Sequence, residues 1–292
     1  MTDRLGRADL HIHTRASDGI DPIPAILSFV EASTDLDVIA ITDHERIDAA
    51  VAARTMAREL GHRVEVVVGE EVSTLGGHLL ALFIEERVRP LRTLRTTIAE
   101  IHEQGGLAIP AHPLVPYPLC AQGWVLRRLL ADRDRRVRPD AIEAFNPTMF
   151  GRPWHGRVVR FAAEHGVATV GNSDAHEAVA VGTGWTTFPG RTGEDLRAAI
   201  LERQTHHHGS FHGTGRQLAT FGDQLRKYRA DARDAIRSTI RRDGMGRDLG
   251  YPGGRHRPPR FDEAWREERA EGRERAEREA TAVASSTTRP ER

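Results

Sequence analysis

From about residue 8 to about residue 204, short apolar runs alternate with longer amphipathic stretches. The short runs, bounded by polar or Gly/Pro positions, predict strands at Ala8–His11, Asp37–Thr42, Val64–Gly69, His78–Phe83, Leu107–Ala111, Asp140–Phe145 and Val167–Gly171. The longer stretches predict helices at Pro22–Ala32, Ile47–Leu60, Leu91–Glu103, Trp154–His165 and Thr192–Arg203. The second of these stops at Gly61 and the fourth at Gly166, while Thr192 followed by Asp195 is a cap-like start. Strands alternating with helices predict parallel strands, in an α/β barrel or a doubly wound sheet.

The polar residues choose between the two. His11 and His13 close or follow the first run, Asp43 and His44 the second, and Glu70 and Glu71 the third. His112 follows LAIPA, Glu143 and Asn146 close DAIEAFN, and Asp174 and His176 follow VATVGNS. In a barrel the C-terminal strand ends form one rim, where active sites sit. A doubly wound sheet would gather ligands mainly at its switch point. Contributions from so many strands favour the barrel.

Beyond about Thr205 the pattern fades. His206–His208 lie in a Gly-rich stretch that reads either as a metal tract or, better, as a flexible polar linker. Ala264–Ala280 places opposite charges at helical spacing with almost no apolar stripe, and Val283–Arg292 has the composition of disorder. The expected organisation is therefore a domain over 8–204 and a charged, disordered or partly helical tail over 205–292.

Formal net charge is zero across 292 residues, which gives no global argument for a nucleic-acid or membrane partner. No apolar run reaches the roughly 18 residues of a membrane span, and the first residues lack the apolar core of a secretory signal. A single cysteine, Cys120, excludes an intrachain disulfide; a cytoplasmic protein is expected. His62, His102, His155, His165 and His256 read as surface or helix-end residues.

The stretch DLHIHTRASDG, Asp9–Gly19, carries the densest chemistry. Residues i and i+2 of a strand share a face, so His11 and His13 can reach one ion, and the turn at Ser17–Gly19 can return Asp18 to the same rim. Imidazole with carboxylate and no thiolate suits Mn, Zn or Fe. The candidate ligands are His11, His13, Asp18, His44, Glu70, His78, His112, Asp174 and His176. One zinc ion takes three or four protein ligands, so a set of this size fits two or three divalent ions.

The motifs DLHIHTRASDG, ITDHE, GEEVST, AHP and GNSDAH resemble those of the PHP (polymerase and histidinol phosphatase) family. The stretch from AIEAFNPTMFGRP to VGTGWT resembles the C-terminal half of its short, free-standing phosphoesterases, so the likeness covers about residues 8–204. The resemblance implies a distorted (β/α)7 TIM-like barrel with a metal cluster at its rim. It implies that His11 and His13 share an ion with Glu70 and Asp174, and that Asp18, His44 and His176 hold a second. Glu70 would bridge to a third site completed by His78 and His112. A structural strand histidine is the other reading of His78, and Glu71 would be a supporting or rim carboxylate. Asp43 would orient a neighbouring histidine or close its turn.

The implied reaction is hydrolysis of a phosphomonoester or phosphodiester by hydroxide held between the ions, with no protein nucleophile. Arg15, Arg46 and Asn146 are the substrate-contact candidates, a guanidinium being able to grip a phosphate through two hydrogen bonds; ordinary surface arginines are the other reading. Arg152 is a further candidate. The segment Pro113–Trp124 is either a pocket wall or, for Trp124, core. The expected partner is a phosphorylated small molecule or a short nucleic acid, with no membrane and no stable protein partner. A nuclease of short oligonucleotides or RNA ends, a histidinol-phosphate-type phosphatase and a non-catalytic, metal-stabilised binding module are the competing functions. All nine ligand positions are filled, which favours an enzyme over the binding module.

Overall fold

The computed structural model describes residues 4–117, 119–148 and 151–211. The chain separates into Met1–Lys227 and Tyr228–Arg292, and every described residue belongs to the first unit. The charged segments at 264–280 and 283–292 lie outside the described residues.

The fold is mixed α/β. Its strands are β1 (Gly6–Ile12), β2 (Val38–Ile41), β3 (Glu65–Thr74), β4 (Gly77–Leu82), β5 (Leu107–Pro110), β6 (Ala141–Phe145), β7 (Ala168–Gly171), β8 (Gly184–Phe188) and β9 (His206–Gly209). Its helices are α1 (Ile23–Ser33), α2 (Asp48–Leu60), α3 (Leu94–Glu103), α4 (Gly123–Leu130), α5 (His155–His165) and α6 (Gly193–Leu201). Local chemistry sets the ends. Gly61 and Gly166 stop α2 and α5 in the left-handed conformation, and Thr192 with Asp195 closes a capping box on α6.

One seven-stranded sheet runs β5-β4-β3-β2-β1-β8-β9, and β6 and β7 form a separate parallel pair. β6 lies beside β5, and β7 beside β8 and β9, so the sheet curls around a shared interior. That interior holds Ala8, Leu10, Val38, Ala40, Val67, Leu80, Leu82, Leu107, Ile109, Ala111, Ala141, Ala168 and Val170, all buried. Gly171 permits the close approach of β7: a Cβ there would fall 2.7 Å from the Trp185 carbonyl oxygen and 2.9 Å from the His208 nitrogen.

Two expectations change. The sheet is not all parallel: β3–β4, β4–β5, β1–β8 and β8–β9 are antiparallel. Only Leu75 and Gly76 separate Thr74 from its partner Gly77, and a parallel crossover needs a dozen residues or more. The domain also continues past 204. His206–Gly209, read as a linker, pairs with β8. Thr205 donates its hydroxyl to the Thr169 carbonyl at 2.9 Å, and the His207 ring lies 3.0 Å from the Thr169 hydroxyl. The linker reading failed because three adjacent histidines look polar, whereas a strand needs only one buried face.

His102 is more than a helix-end residue. Its ring bridges the Asp140 carboxylate at 2.8 Å and the Arg136 carbonyl at 2.7 Å, tying α3 to the start of β6. Burial opposes its charge, but Asp140 and the carbonyl raise its pKa above the ordinary value of 6.5. A histidine raised in the folded state contributes fully below its ordinary value and loses that contribution as pH rises through the folded value. Thermal midpoints from pH 6 to pH 9 should therefore fall less steeply for His102→Gln than for the native chain; identical slopes would refute the charged contact.

Candidate metal centre

The parity of each strand decides what reaches the rim. β1 faces the interior with Ala8 and Leu10, which would turn His11 away. However, Asp9 pairs with Ile39 and Ile12 with Ile41, so β1 carries one extra residue there. This bulge exchanges the faces and brings His11 and His13 to the interior side. The other strands keep their parity: Ala40 leads to His44, Val67 to Glu71, Ala141 to Glu143, and Val170 to Asn172 and Asp174. β4 runs antiparallel to β3, so its first turnward residue, His78, starts at the rim where β3 ends. His112 and Asp174 turn off their strands in left-handed backbone, with φ of 32° and 51°.

The loop after β1 brings Asp18 back. Asp43 accepts the Thr14 amide at 2.8 Å, the Thr14 hydroxyl at 2.7 Å and the Ser17 hydroxyl at 2.5 Å. Asp43, expected to orient a histidine or close its own turn, thus braces the loop after β1. Gly19 packs against the His13 carbonyl, where a Cβ would lie at 2.4 Å. Asp18 then meets His13 at 3.2 Å and His176 at 3.0 Å.

Four overlapping groups result: His11–His13–Asp174, His13–His44–Glu71, His13–Asp18–His176 and Glu71–His78–His112. Glu71 is the hub. One carboxylate oxygen lies 3.2 Å from His11 Nε2 and 3.3 Å from both His13 Nε2 and His44 Nε2. The other lies 2.8 Å from His78 Nδ1 and 3.3 Å from His112 Nε2. Asp174 is 3.4 Å from both His11 and His13.

Eight of the nine predicted ligands thus come together, and Glu70 does not. β3 runs on through Thr74, so Glu70 and Glu71 sit inside a strand and face opposite ways. Glu70 points away from the cluster and accepts the Val88 amide at 3.0 Å. Glu71 therefore occupies the central place expected of Glu70, and Glu70 lies outside the cluster. The parity of VEVVVGEE held the signal: Val67 is interior, and so must be Glu71.

Supporting residues set the imidazole orientations. The fully buried Glu143 takes His11 Nδ1 at 3.0 Å, the His112 amide at 2.7 Å and the Asn172 side-chain amide at 2.8 Å. His11 Nε2 is thereby left facing Glu71 and Asp174, an arrangement suited to ligation. Asn172, unnoticed in the sequence, also accepts the Leu10 amide at 3.1 Å.

The substrate-contact candidates have other partners. Asn146 donates to Glu143 at 3.0 Å and Asp174 at 3.1 Å, so it braces the cluster. Arg46 is tied to Asp48 and donates to the Ala16 carbonyl at 2.7 Å. Arg15 is exposed on the loop after β1, and Trp124 is exposed rather than core.

Without an ion, the imidazoles balance the carboxylates by holding protons. Burial opposes the charged forms, yet Asp174, Glu71 and Glu143 raise His11 well above its usual range. Asp18, Asp174 and Glu71 likewise carry His13 to about 10 despite its burial. Conversely, burial would raise Glu71 and Asp174, but His11 and the neighbouring histidines hold both well below the carboxylate range. Buried His11 Nε2 and both nitrogens of His13 have no hydrogen-bond partner. Packed imidazoles and carboxylates with unsatisfied nitrogens aimed at a shared point fit divalent ions.

A PHP-associated family profile matches residues 152–205, which include Asp174 and His176. An uncharacterized protein of Methanocaldococcus jannaschii is 36% identical over 151 residues, 48% of this chain and 81% of that protein. The phosphoribosyl 1,2-cyclic phosphate 1,2-diphosphodiesterase of Eggerthella lenta is 37% identical over 94 residues, 30% of this chain and 34% of that enzyme. Among solved structures, a two-domain protein of Bacteroides vulgatus containing a predicted PHP-like metal-dependent phosphoesterase superposes with a TM-score of 0.59 at 18% identity, covering 76% of this chain and 70% of that one.

Proposed function

Because this chain belongs to the PHP family, we propose that it is a metal-dependent hydrolase of a phosphomonoester or phosphodiester, working at the Glu71 cluster. The observation that carries the reading is the convergence of four ligand groups on one buried carboxylate, with unsatisfied imidazole nitrogens beside it. His11, His13, Asp18, His44, Glu71, His78, His112, Asp174 and His176 would hold two or three divalent ions, Mn, Zn or Fe. Such ions, when bound, supply positive charge to phosphoryl oxygens and lower the pKa of a water.

The chain's own residues do the rest. Glu143 and Asn146 hold His11, the His112 backbone and Asp174 in place, so little reorganises during reaction. Exposure sets the direction of approach. His11 and His13 are sealed, whereas His44 is 26% exposed and Asp18 and His176 are 14% and 17% exposed. His112 is also 17% exposed, so a phosphate would meet the face formed by His44, Asp18, His176 and His112. The fold reading that goes with this function is a distorted barrel, formed by the β6–β7 pair lying between β5 and β9. No helix among the described residues is long and apolar enough to cross a membrane.

The test is manganese-dependent phosphate release from a panel of nucleotides, sugar phosphates, cyclic phosphodiesters and short oligonucleotides. Turnover confined to small molecules identifies a phosphatase or small-molecule diesterase, and shortening of oligonucleotides identifies a nuclease. Bound ions with no turnover of any phosphoester would overturn the hydrolase reading in favour of a metal-stabilised binding module.

A further inference from the structure

Where a ligand histidine's second ring nitrogen has a partner, that partner decides which nitrogen is left for an ion. For His11 it is the Glu143 carboxylate at 3.0 Å, and for His176 it is the Asp174 carbonyl at 3.0 Å. His112 differs. Its Nδ1 lies 3.3 Å from the sulfur of Cys120, the chain's single cysteine. Its Nε2 faces Glu71 in the group it forms with His78.

Cys120 is held there by its surroundings. It is buried, at 6% exposure, on the loop between β5 and α4. Its amide donates to the Tyr117 carbonyl at 3.0 Å, and its carbonyl accepts the Gln122 side chain at 2.9 Å. The His78 amide donates to the neighbouring Leu119 carbonyl at 2.9 Å. The same loop therefore touches both histidines of the Glu71–His78–His112 group.

We infer that Cys120 is a positioning residue for the third metal position: its sulfur accepts the Nδ1–H of His112 and so leaves Nε2 unprotonated toward Glu71. This rests on the metal reading above and deepens it. Sulfur is a weak acceptor and its S–H a weak donor, so the contact can also run the other way. With S–H donating to Nδ1, the proton of a neutral ring moves to Nε2, which then cannot ligate. A carboxylate such as Glu143 permits only the first arrangement. The presentation of His112 Nε2 to the position it shares with His78 therefore depends on one thiol.

The test is Mn(II) uptake by the full chain, measured by elemental analysis after equilibrium dialysis over a range of Mn(II) concentrations. It compares the native protein with Cys120→Ser, Cys120→Val and Cys120→Ala, with metal-free thermal midpoints as the folding control. Serine retains an acceptor for Nδ1–H, whereas valine keeps the bulk and removes the acceptor. One uptake step of the valine and alanine variants should move to roughly 10- to 100-fold higher Mn(II), with the other steps unmoved and serine close to native. Native-like uptake by Cys120→Val, or equal weakening of all three variants, would overturn the inference in favour of a packing role. Failure of the native chain to take up any ion would instead remove the metal reading itself.

Discussion

Glu71→Gln should lower turnover by more than about 100-fold and empty much of the metal centre, whereas Glu70→Gln should leave both within about twofold of native. The two acids are neighbours on one strand and differ only in the face they present. Glu71 sits within 3.3 Å of His11, His13, His44, His78 and His112, so an amide there removes the charge shared by every group it joins. Glu70 meets the Val88 amide at 3.0 Å, a bond that glutamine can keep. Burial pushes the Glu70 carboxyl from 4.5 up to about 7. A carboxyl raised in this way contributes stability below its ordinary value and loses it as pH rises through about 7. Glu70→Gln should therefore gain thermal midpoint relative to native above pH 7, and not at pH 4 to 5. Turnover and metal content of the two variants, measured side by side, decide the assignment. Loss of function on Glu70→Gln with a silent Glu71→Gln would reverse it.

Ending the chain after Thr205 should destabilise the fold strongly compared with ending it after Phe211. The six residues between carry β9, which pairs with β8 over His206–Gly209. They also carry Phe211, whose ring lies 4.9 Å from Phe145 and 5.8 Å from His155. Losing a four-residue ladder and an aromatic contact costs several kcal/mol, with about 1 kcal/mol for each ladder hydrogen bond. The shorter chain should melt roughly 10 °C lower by calorimetry. It also exposes the β8 edge to intermolecular pairing, so it should aggregate sooner on heating. Equal midpoints would mean that β9 adds nothing to the fold.

Much of the metal centre was legible because its ligands sit at strand ends, where short apolar runs stop and polar residues begin. His11, His13, Asp18, His44, His112, Asp174 and His176 were all found in that way, and they converge. Glu70 failed for a reason of register. The apolar run VEVVV suggests a strand ending at Gly69, whereas hairpin pairing carries β3 to Thr74. Once the strand is continuous, alternation selects Glu71. The β1 bulge worked in the opposite direction, restoring a face that strict alternation from Leu10 would have denied His11. The antiparallel β1–β8 pair and β9 depend on long-range pairing, which local periodicity does not encode. The supporting shell of Glu143, Asn146 and Asn172 was only half visible, since an amide bracing a carboxylate looks the same in sequence as one contacting substrate.

The most direct measurement is the anomalous-scattering map of a crystal grown with Mn(II). The expected result is two or three peaks, each within ligating distance of its own imidazoles and carboxylates, with Glu71 shared between at least two. A cluster without peaks, or peaks bridged by Glu70 with Glu71 turned away, would contradict the metal centre described here.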